Sequence, residues 1–135
     1  MVEATLMGQK STVPCATVNV ETCVLPVKIV EVWEMLYAMR FDKMAPQFIK
    51  SVERMTGEEA QIGSTYKQIF TDGAEWVYRM TEVSERNYTV AYEVLATEPK
   101  HTASSIQGEF RLQRVTDTDE TFVSWETAFS NDVDA

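Results

Sequence analysis

Apolar and polar residues alternate with a period of two along most of residues 64–129. Because successive side chains of a β-strand point to opposite faces of its sheet, this period predicts four or five strands, each with one dry and one wet face. Short polar turns separate the segments, so neighbouring strands are expected to pair antiparallel. The positions assigned to the dry face are Trp76, Tyr78, Met80, Tyr88, Val90, Tyr92, Val94, Ile106, Phe110, Leu112, Val123, Trp125, Thr127 and Phe129. This face is rich in aromatic rings, and what covers it or fits against it decides what the protein does.

A strand and one or two helices are predicted before this region. Valines alternate with polar residues over residues 16–25, which predicts a first strand. Apolar residues then recur at helical spacing over residues 27–39, and residues 40–42 break that apolar face. Residues 43–50 are expected to form a short second helix or turn, with Pro46 favouring its start.

The remaining segments complete an antiparallel meander. The predicted strands begin at residue 51 and continue over 64–70, 76–83, 88–95, 104–115 and 121–129. Asp72-Gly73 predicts a hairpin with a primed turn, because glycine readily adopts a positive φ. Residues 1–14 are expected to be a flexible arm, and residues 15–135 a single domain. Ser130-Asn131-Asp132 is typical of a helix start, although the sequence stops at Ala135.

Charge and composition exclude several classes of partner. The net charge of -9 argues against binding to nucleic acid or to an anionic membrane surface, since both require basic side chains. The sequence has no apolar run long enough to span a membrane and no recognisable signal peptide, so a cytoplasmic protein is expected. Cys15 and Cys23 fall too far apart along one strand to pair, which predicts free, buried thiols.

Few residues have side chains suited to catalysis or metal binding. His101 is the only histidine and is expected to be a solvated loop residue, with a general base at a pocket mouth as the alternative. Glu93, Glu109 and Glu126 fall on the wet face, so no acid–base carboxylate is expected among the rings. No metal-ligand spacing or phosphate-binding glycine loop is present, and no catalytic residue, metal or cofactor is predicted.

The aromatic residues of the dry face are the candidate site. They either pack the core or line a concave apolar pocket in which hydroxyl and amide groups orient a ligand. The predicted ligand-binding residues are Tyr66, Gln68, Trp76, Tyr78, Tyr92, Phe110 and Trp125.

Short motifs between residues 18 and 129 resemble the helix-grip fold of the START/Bet v 1 (SRPBCC) superfamily. The similarity is to its polyketide cyclase/dehydratase-like and abscisic-acid-receptor-like branches. The resembling motifs are Val32-Trp33, Phe48-Ile49-Lys50-Ser51, Gly57 with Ile62-Gly63-Ser64, Asp72-Gly73, Ala91-Tyr92-Glu93-Val94 and Val123-Ser124-Trp125.

This resemblance implies an α+β fold, in which a curved antiparallel sheet of about seven strands grips a long C-terminal helix over an apolar cavity. One or two short helices follow the first strand, but the long helix is absent from this sequence. We therefore expect a truncated sequence, a cover from another chain, or an open groove. The abscisic acid receptors' hormone-pairing lysine falls on Pro46 and their acidic pocket residue falls near Tyr78. A ligand carboxylate is left without a charged partner, so hormone binding is discarded.

The preferred prediction is binding or transport of a small hydrophobic ligand, such as a lipid, isoprenoid or polyketide, on the concave face. One alternative is a polyketide cyclase/dehydratase-type enzyme that uses cavity tyrosines and His101. Another is a protein-interaction module that uses the open sheet face. Since an uncovered apolar face is larger than monomers tolerate, a homodimer or domain swap is expected.

Overall fold

Seven antiparallel strands form one curved sheet in the computed structural model, which describes residues 17–101, 103 and 105–130. Strands that follow one another along the chain pair with each other, except that the first strand pairs with the last strand and not with the second. The spatial order is β1-β7-β6-β5-β4-β3-β2. The strands are β1 (Thr17–Leu25), β2 (Ile49–Thr56), β3 (Thr65–Phe70), β4 (Glu75–Ser84), β5 (Thr89–Glu98), β6 (Ile106–Val115) and β7 (Glu120–Phe129).

Two short helices follow β1, as predicted, and pack on one side of the sheet. They are α1 (Ile29–Tyr37) and α2 (Phe41–Met44). We call the side on which they pack the concave face. No helix follows β7 within the described residues. The predicted flexible arm 1–14, Cys15, and residues 131 and 132 of the predicted helix start lie outside the described residues.

The boundary between the helices differs from the prediction because α1 stops at a residue with no glycine signal. Met39 has a φ of 59° and follows the C-cap Ala38. The N–H of Arg40 donates to the Met35 carbonyl at 2.8 Å, and the N–H of Met39 donates to the Leu36 carbonyl at 2.9 Å. This pair of bonds is the Schellman ending, which usually has glycine at the left-handed position.

The predicted break at residues 40–42 is therefore wrong in part. Phe41 and Asp42 begin α2, and Phe41 is only 6% exposed. Pro46 lies beyond the end of α2 instead of at its start. The sharp turn at Met39 places the side chain of Phe41, two residues later, on the concave face.

The dry-face assignment is confirmed for the central strands. Tyr78, Met80, Val90, Phe110 and Val123 are all buried in the core, with side chains of α1 packed against them. The period of two holds here because one face of these strands is covered and the other is solvated.

At the β1 edge the valines lie on the opposite face from the core. Cys23 pairs with Val123, so it shares the concave side, whereas Val18, Val20 and Val24 point to the convex side and are 45–53% exposed. Cys23 is free, as predicted, but exposed instead of buried. Alternation alone cannot tell which face of an edge strand is covered.

The Asp72-Gly73 hairpin is confirmed, but its turn is not the predicted primed type. Gly73 has a φ of 96°, while Thr71 and Asp72 do not have positive φ. The N–H of Gly73 donates to the Phe70 carbonyl at 3.0 Å, and the N–H of Phe70 donates to the Ala74 carbonyl at 2.8 Å. This is the three-residue loop in which glycine forms a bulge after an ordinary turn.

Gly108 of β6 allows a close approach that the sequence analysis did not single out. It pairs directly with Tyr92 of β5. A Cβ placed on Gly108 would lie 2.3 Å from Cζ of the Tyr92 ring. The ring therefore lies across the glycine, which is a recognised reason for glycine inside a strand.

We expect Gly108→Ala to lower the free energy of unfolding by about 1–3 kcal/mol, because the added methyl group displaces the Tyr92 ring from a filled core. The measurement is urea denaturation followed by circular dichroism. Gln107→Ala, at the adjacent exposed position, should change the unfolding free energy by less than about 0.5 kcal/mol. Equal stability of Gly108→Ala and the parent chain would contradict the inferred packing.

Candidate functional site

The seven predicted ligand-binding residues all lie on the concave face. Cross-strand pairing sets them side by side: Tyr66 opposes Tyr78, Gln68 opposes Trp76, and Phe110 opposes Trp125. Directly opposed residues of antiparallel strands point to the same side of the sheet. Tyr92 joins the set because it opposes Met80, which is buried on that side.

The rings of this set contact one another across five strands, β3 to β7. Tyr66 stacks on Tyr78 with ring centroids 6.1 Å apart, and Tyr78 meets Tyr92 at 5.3 Å. Further along, Phe110 stacks on Trp125 at 5.1 Å. Tyr66, Tyr78, Tyr92 and Phe110 are buried, whereas Trp125 is 37% exposed. The rings thus form a continuous apolar surface that is accessible mainly at its β7 end.

Polar groups are embedded in this surface and are paired. The Tyr78 hydroxyl donates to Gln68 Oε1 at 2.8 Å, and Trp125 Nε1 donates to the Tyr92 hydroxyl at 3.1 Å. Because Tyr92 lies across Gly108, its hydroxyl reaches from β5 over β6 to β7. These groups can orient a ligand only by exchanging the bonds that they already make.

Burial makes the two central phenols hard to ionise. It raises the pKa of Tyr92 to about 12, although the hydrogen bond from Trp125 acts the other way. Burial is also the largest cause that raises the pKa of Tyr78 well above its usual value, followed by its neighbours Tyr92 and Asp42. Both side chains are therefore neutral hydrogen-bonding groups at physiological pH.

Phe41 of α2 covers the centre of the rings. Its ring centroid lies 4.9 Å from that of Phe110, 5.8 Å from that of Tyr78 and 6.1 Å from that of Tyr92. The helix that carries Phe41 is only four residues long. Its N-terminus has no side-chain cap, and its C-cap residue has no regular cap conformation. One side chain on a short element thus occupies the middle of the candidate site.

A carboxylate also approaches the concave face, from α2 and not from a strand. Asp42 Oδ2 accepts a hydrogen bond from Arg40 at 2.8 Å. Within the described part of the chain, Asp42 Oδ1 is buried without a hydrogen-bond partner. Strand parity gives no signal for this carboxylate, because Asp42 lies on a helix.

Two open spaces lie beside the rings. A groove of about 630 Å³ runs along α1 and is lined by Trp33, Tyr37, Ile62 and Val83 among others. A smaller cavity of about 200 Å³ lies at the β2 edge of the concave face. Of the seven predicted residues, only Tyr66 lines either space.

Solved structures with the same architecture are distant in sequence. Major latex-like protein 151 from Panax ginseng superposes with a TM-score of 0.74 at 12% identity, over 86% of this chain and 80% of that one. A protein from Nitrosospira multiformis gives 0.68 at 20% identity, over 84% and 79%. Ara h 8.0201 gives 0.69 at 16% identity, over 89% and 81%. No family model and no curated protein matches the sequence.

The chain has the Bet v 1-like helix-grip fold. The fold resemblance drawn from the sequence motifs is confirmed, including the seven-stranded sheet and the two short helices. Identities of 12–20% establish the fold alone.

His101 occupies a different environment from the expected solvated loop. It is half-buried, with its ring 5.5 Å from that of Phe129 and 6.3 Å from that of Trp76. Its Nδ1 accepts a hydrogen bond from the N–H of Ala103 at 2.9 Å, which leaves Nε2 as the protonated nitrogen of the neutral ring. His101 therefore closes one end of the concave face.

Within the part of the chain that the structure describes, no group of three or more His, Cys, Asp or Glu side chains is arranged to hold a metal ion. None of the helices between residues 17 and 130 is long and apolar enough to cross a membrane.

Sequence reasoning missed Phe41 and Asp42 because it treated them as the end of a helical face. A phenylalanine directly after an apolar helix was the available signal, since phenylalanine is among the residue types most often fully buried. The stop at Met39 left no comparable signal.

We expect alkaline pH to destabilise this Bet v 1-like domain through Tyr92. Below pH 10 the phenol is neutral in both folded and unfolded states, so its contribution is fully present. Between pH 10 and about 12 only the unfolded chain ionises, and stability falls as pH rises. A two-unit difference corresponds to about 2–3 kcal/mol.

Urea denaturation between pH 8 and 12 measures this decline. Tyr92→Phe should remove up to about 2–3 kcal/mol of it, whereas Trp125→Phe keeps the phenol and should keep the decline. The same decline in Tyr92→Phe and in the parent chain would show that Tyr92 is not the group responsible.

Proposed function

We propose that the chain binds a small hydrophobic molecule, of the lipid, isoprenoid or polyketide class, against the concave face. The observation that carries this proposal is the position of Phe41. A single side chain from a four-residue helix occupies the centre of a surface of rings that spans β3 to β7. An apolar guest replaces such a side chain at little cost, since ring contacts are exchanged for ring contacts.

The polar groups of the surface suit recognition more than catalysis. The hydroxyls of Tyr78 and Tyr92 are buried and remain neutral, so they can donate to or accept from an uncharged ligand group. A general acid or base works best with a pKa near the operating pH, and a phenol with a pKa of about 12 is far from it. His101 packs between Trp76 and Phe129, and its Nδ1 is already engaged. The cyclase/dehydratase alternative therefore has less support.

Titration with the neutral dye N-phenyl-1-naphthylamine tests binding, because its fluorescence rises in apolar surroundings. We expect one saturable site, and Phe41→Leu should bind the dye more tightly, by about threefold to tenfold, because the smaller side chain leaves room for part of the guest. Phe41→Ala should enhance binding further where it folds, although such a core truncation costs about 3–5 kcal/mol of stability.

Val20→Ala is the matched control, since it shortens an exposed apolar side chain on the convex side. Its dye affinity should equal that of the parent chain. Absence of saturable binding in both the parent and Phe41→Leu would rule out the proposal.

A second candidate role, self-association, is favoured by the β1 edge. Val18, Val20 and Val24 are 45–53% exposed on β1, which pairs only with β7 among the described strands. An edge strand with exposed apolar side chains and unpaired backbone groups is a template for pairing with another strand. This moves the expected dimer contact from the concave face, where the rings are buried, to β1.

We expect the parent chain to show dimers at micromolar concentrations by light scattering, and Val20→Lys to shift the population to monomer by placing a charge on the edge. Val30→Lys is the control, because Val30 lies on α1 and is 54% exposed. This variant should leave the mass distribution unchanged. A strictly monomeric parent chain would end this second proposal.

A further inference from the structure

The cavity at the β2 edge carries two guanidinium groups beside the concave face. Its volume is about 200 Å³, and its lining residues are Ala38, Arg40, Val52, Arg54, Glu59 and Tyr66. That volume is below the range of about 300–1,000 Å³ for ordinary ligand pockets, so the cavity suits one polar end of a ligand and not a whole ligand.

The cavity adjoins the rings directly. Arg54 of β2 opposes Tyr66 of β3, and Tyr66 in turn opposes Tyr78 of β4. The three side chains therefore stand in a row on the same side of the sheet. A ligand whose polar end lies in the cavity has its apolar part directed along the Tyr66–Tyr78 rings.

The two arginines differ in how far they are already used. Arg40 donates to the Val52 carbonyl at 3.1 Å and to Asp42 Oδ2 at 2.8 Å. The guanidinium of Arg54 forms no hydrogen bond or ion pair with the residues that the structure describes, although the backbone of Arg54 lies in the β2–β3 ladder. Its planar fork of N–H donors is free to bind a carboxylate with two parallel hydrogen bonds.

Two acidic residues limit the charge that the cavity accepts. Glu59 is part of the lining, and Asp42 neutralises Arg40. The chain as a whole has a net charge of -9. A singly charged carboxylate matches the one unpaired guanidinium, whereas a phosphate would bring a second negative charge towards Glu59.

We propose that the hydrophobic ligand is a monocarboxylic acid whose carboxylate binds Arg54 in this cavity. The proposal rests on the proposed function, because it assigns the polar end of the molecule that the concave face binds. Arg40 is a supporting residue that stays fixed by Val52 and Asp42, and Glu59 opposes the ligand's charge.

Octanoate and octan-1-ol are the probes, since they share a chain and differ in the polar end. Each is titrated as a competitor of N-phenyl-1-naphthylamine at low ionic strength. We expect octanoate to bind about fivefold to tenfold more tightly than octan-1-ol, the range of a partly exposed charge-assisted pair. This preference should shrink in 0.5 M NaCl, because salt screens a partly exposed ion pair.

Charge-matched variants assign the effect to the cavity. Arg54→Gln should abolish the preference for octanoate while leaving dye and octan-1-ol binding unchanged. Glu59→Gln should strengthen octanoate binding about twofold, since it removes a like charge from the lining. Arg86→Gln removes the same charge from the exposed β4–β5 turn and should change nothing.

The outcomes separate the two proposals. Dye binding with no preference for octanoate, or a preference that survives Arg54→Gln, overturns the carboxylate site and leaves hydrophobic binding intact. Absence of dye binding overturns the proposed function itself. An equal loss of octanoate binding in Arg54→Gln and Arg86→Gln would reduce the effect to net charge and also overturn the site.

Discussion

Tyr92 lies flat across Gly108, and this contact determines how the concave face is built. Without a side chain at Gly108, the ring can cross β6 and bring its hydroxyl to Trp125 of β7. The same ring contacts the rings of Tyr78 on β4 and Phe41 on α2. Tyr92 therefore links β4, β7 and the short helix α2. A phenol held this way is dry and neutral, which accounts for its raised pKa.

The position of Phe41 supports the proposal of binding over the alternative of catalysis. Phe41 meets three rings of the concave face from a helix of only four residues, beside the side chains of α1 that pack in the same core. A single inserted ring is a small barrier to a guest of similar chemistry. By contrast, proton transfer needs a group whose charge changes near neutral pH, and neither Tyr78 nor Tyr92 is such a group.

Sequence patterns predicted most of the sheet because its central strands are covered on one face only. The period of two then reports burial directly, and it placed Tyr66, Gln68, Tyr78 and Phe110 correctly on one side. At β1 the same period predicted the strand but not which of its faces is covered, since an edge strand with both faces partly open has no single dry side. Whether any of the seven residues touches a ligand stays a prediction.

The sequence patterns could not predict which separate segments come together in the folded chain. Arg40 and Arg54 are separated by a turn, a helix and part of a strand, and only the folded chain brings both to one cavity beside Tyr66. The sequence analysis left a ligand carboxylate without a charged partner because it compared single positions with a receptor pattern. Strand pairing instead supplies Arg54 from the edge of the sheet. In an acidic chain, a guanidinium without a partner beside an apolar surface distinguishes an acid from its alcohol, although both have the same hydrocarbon chain.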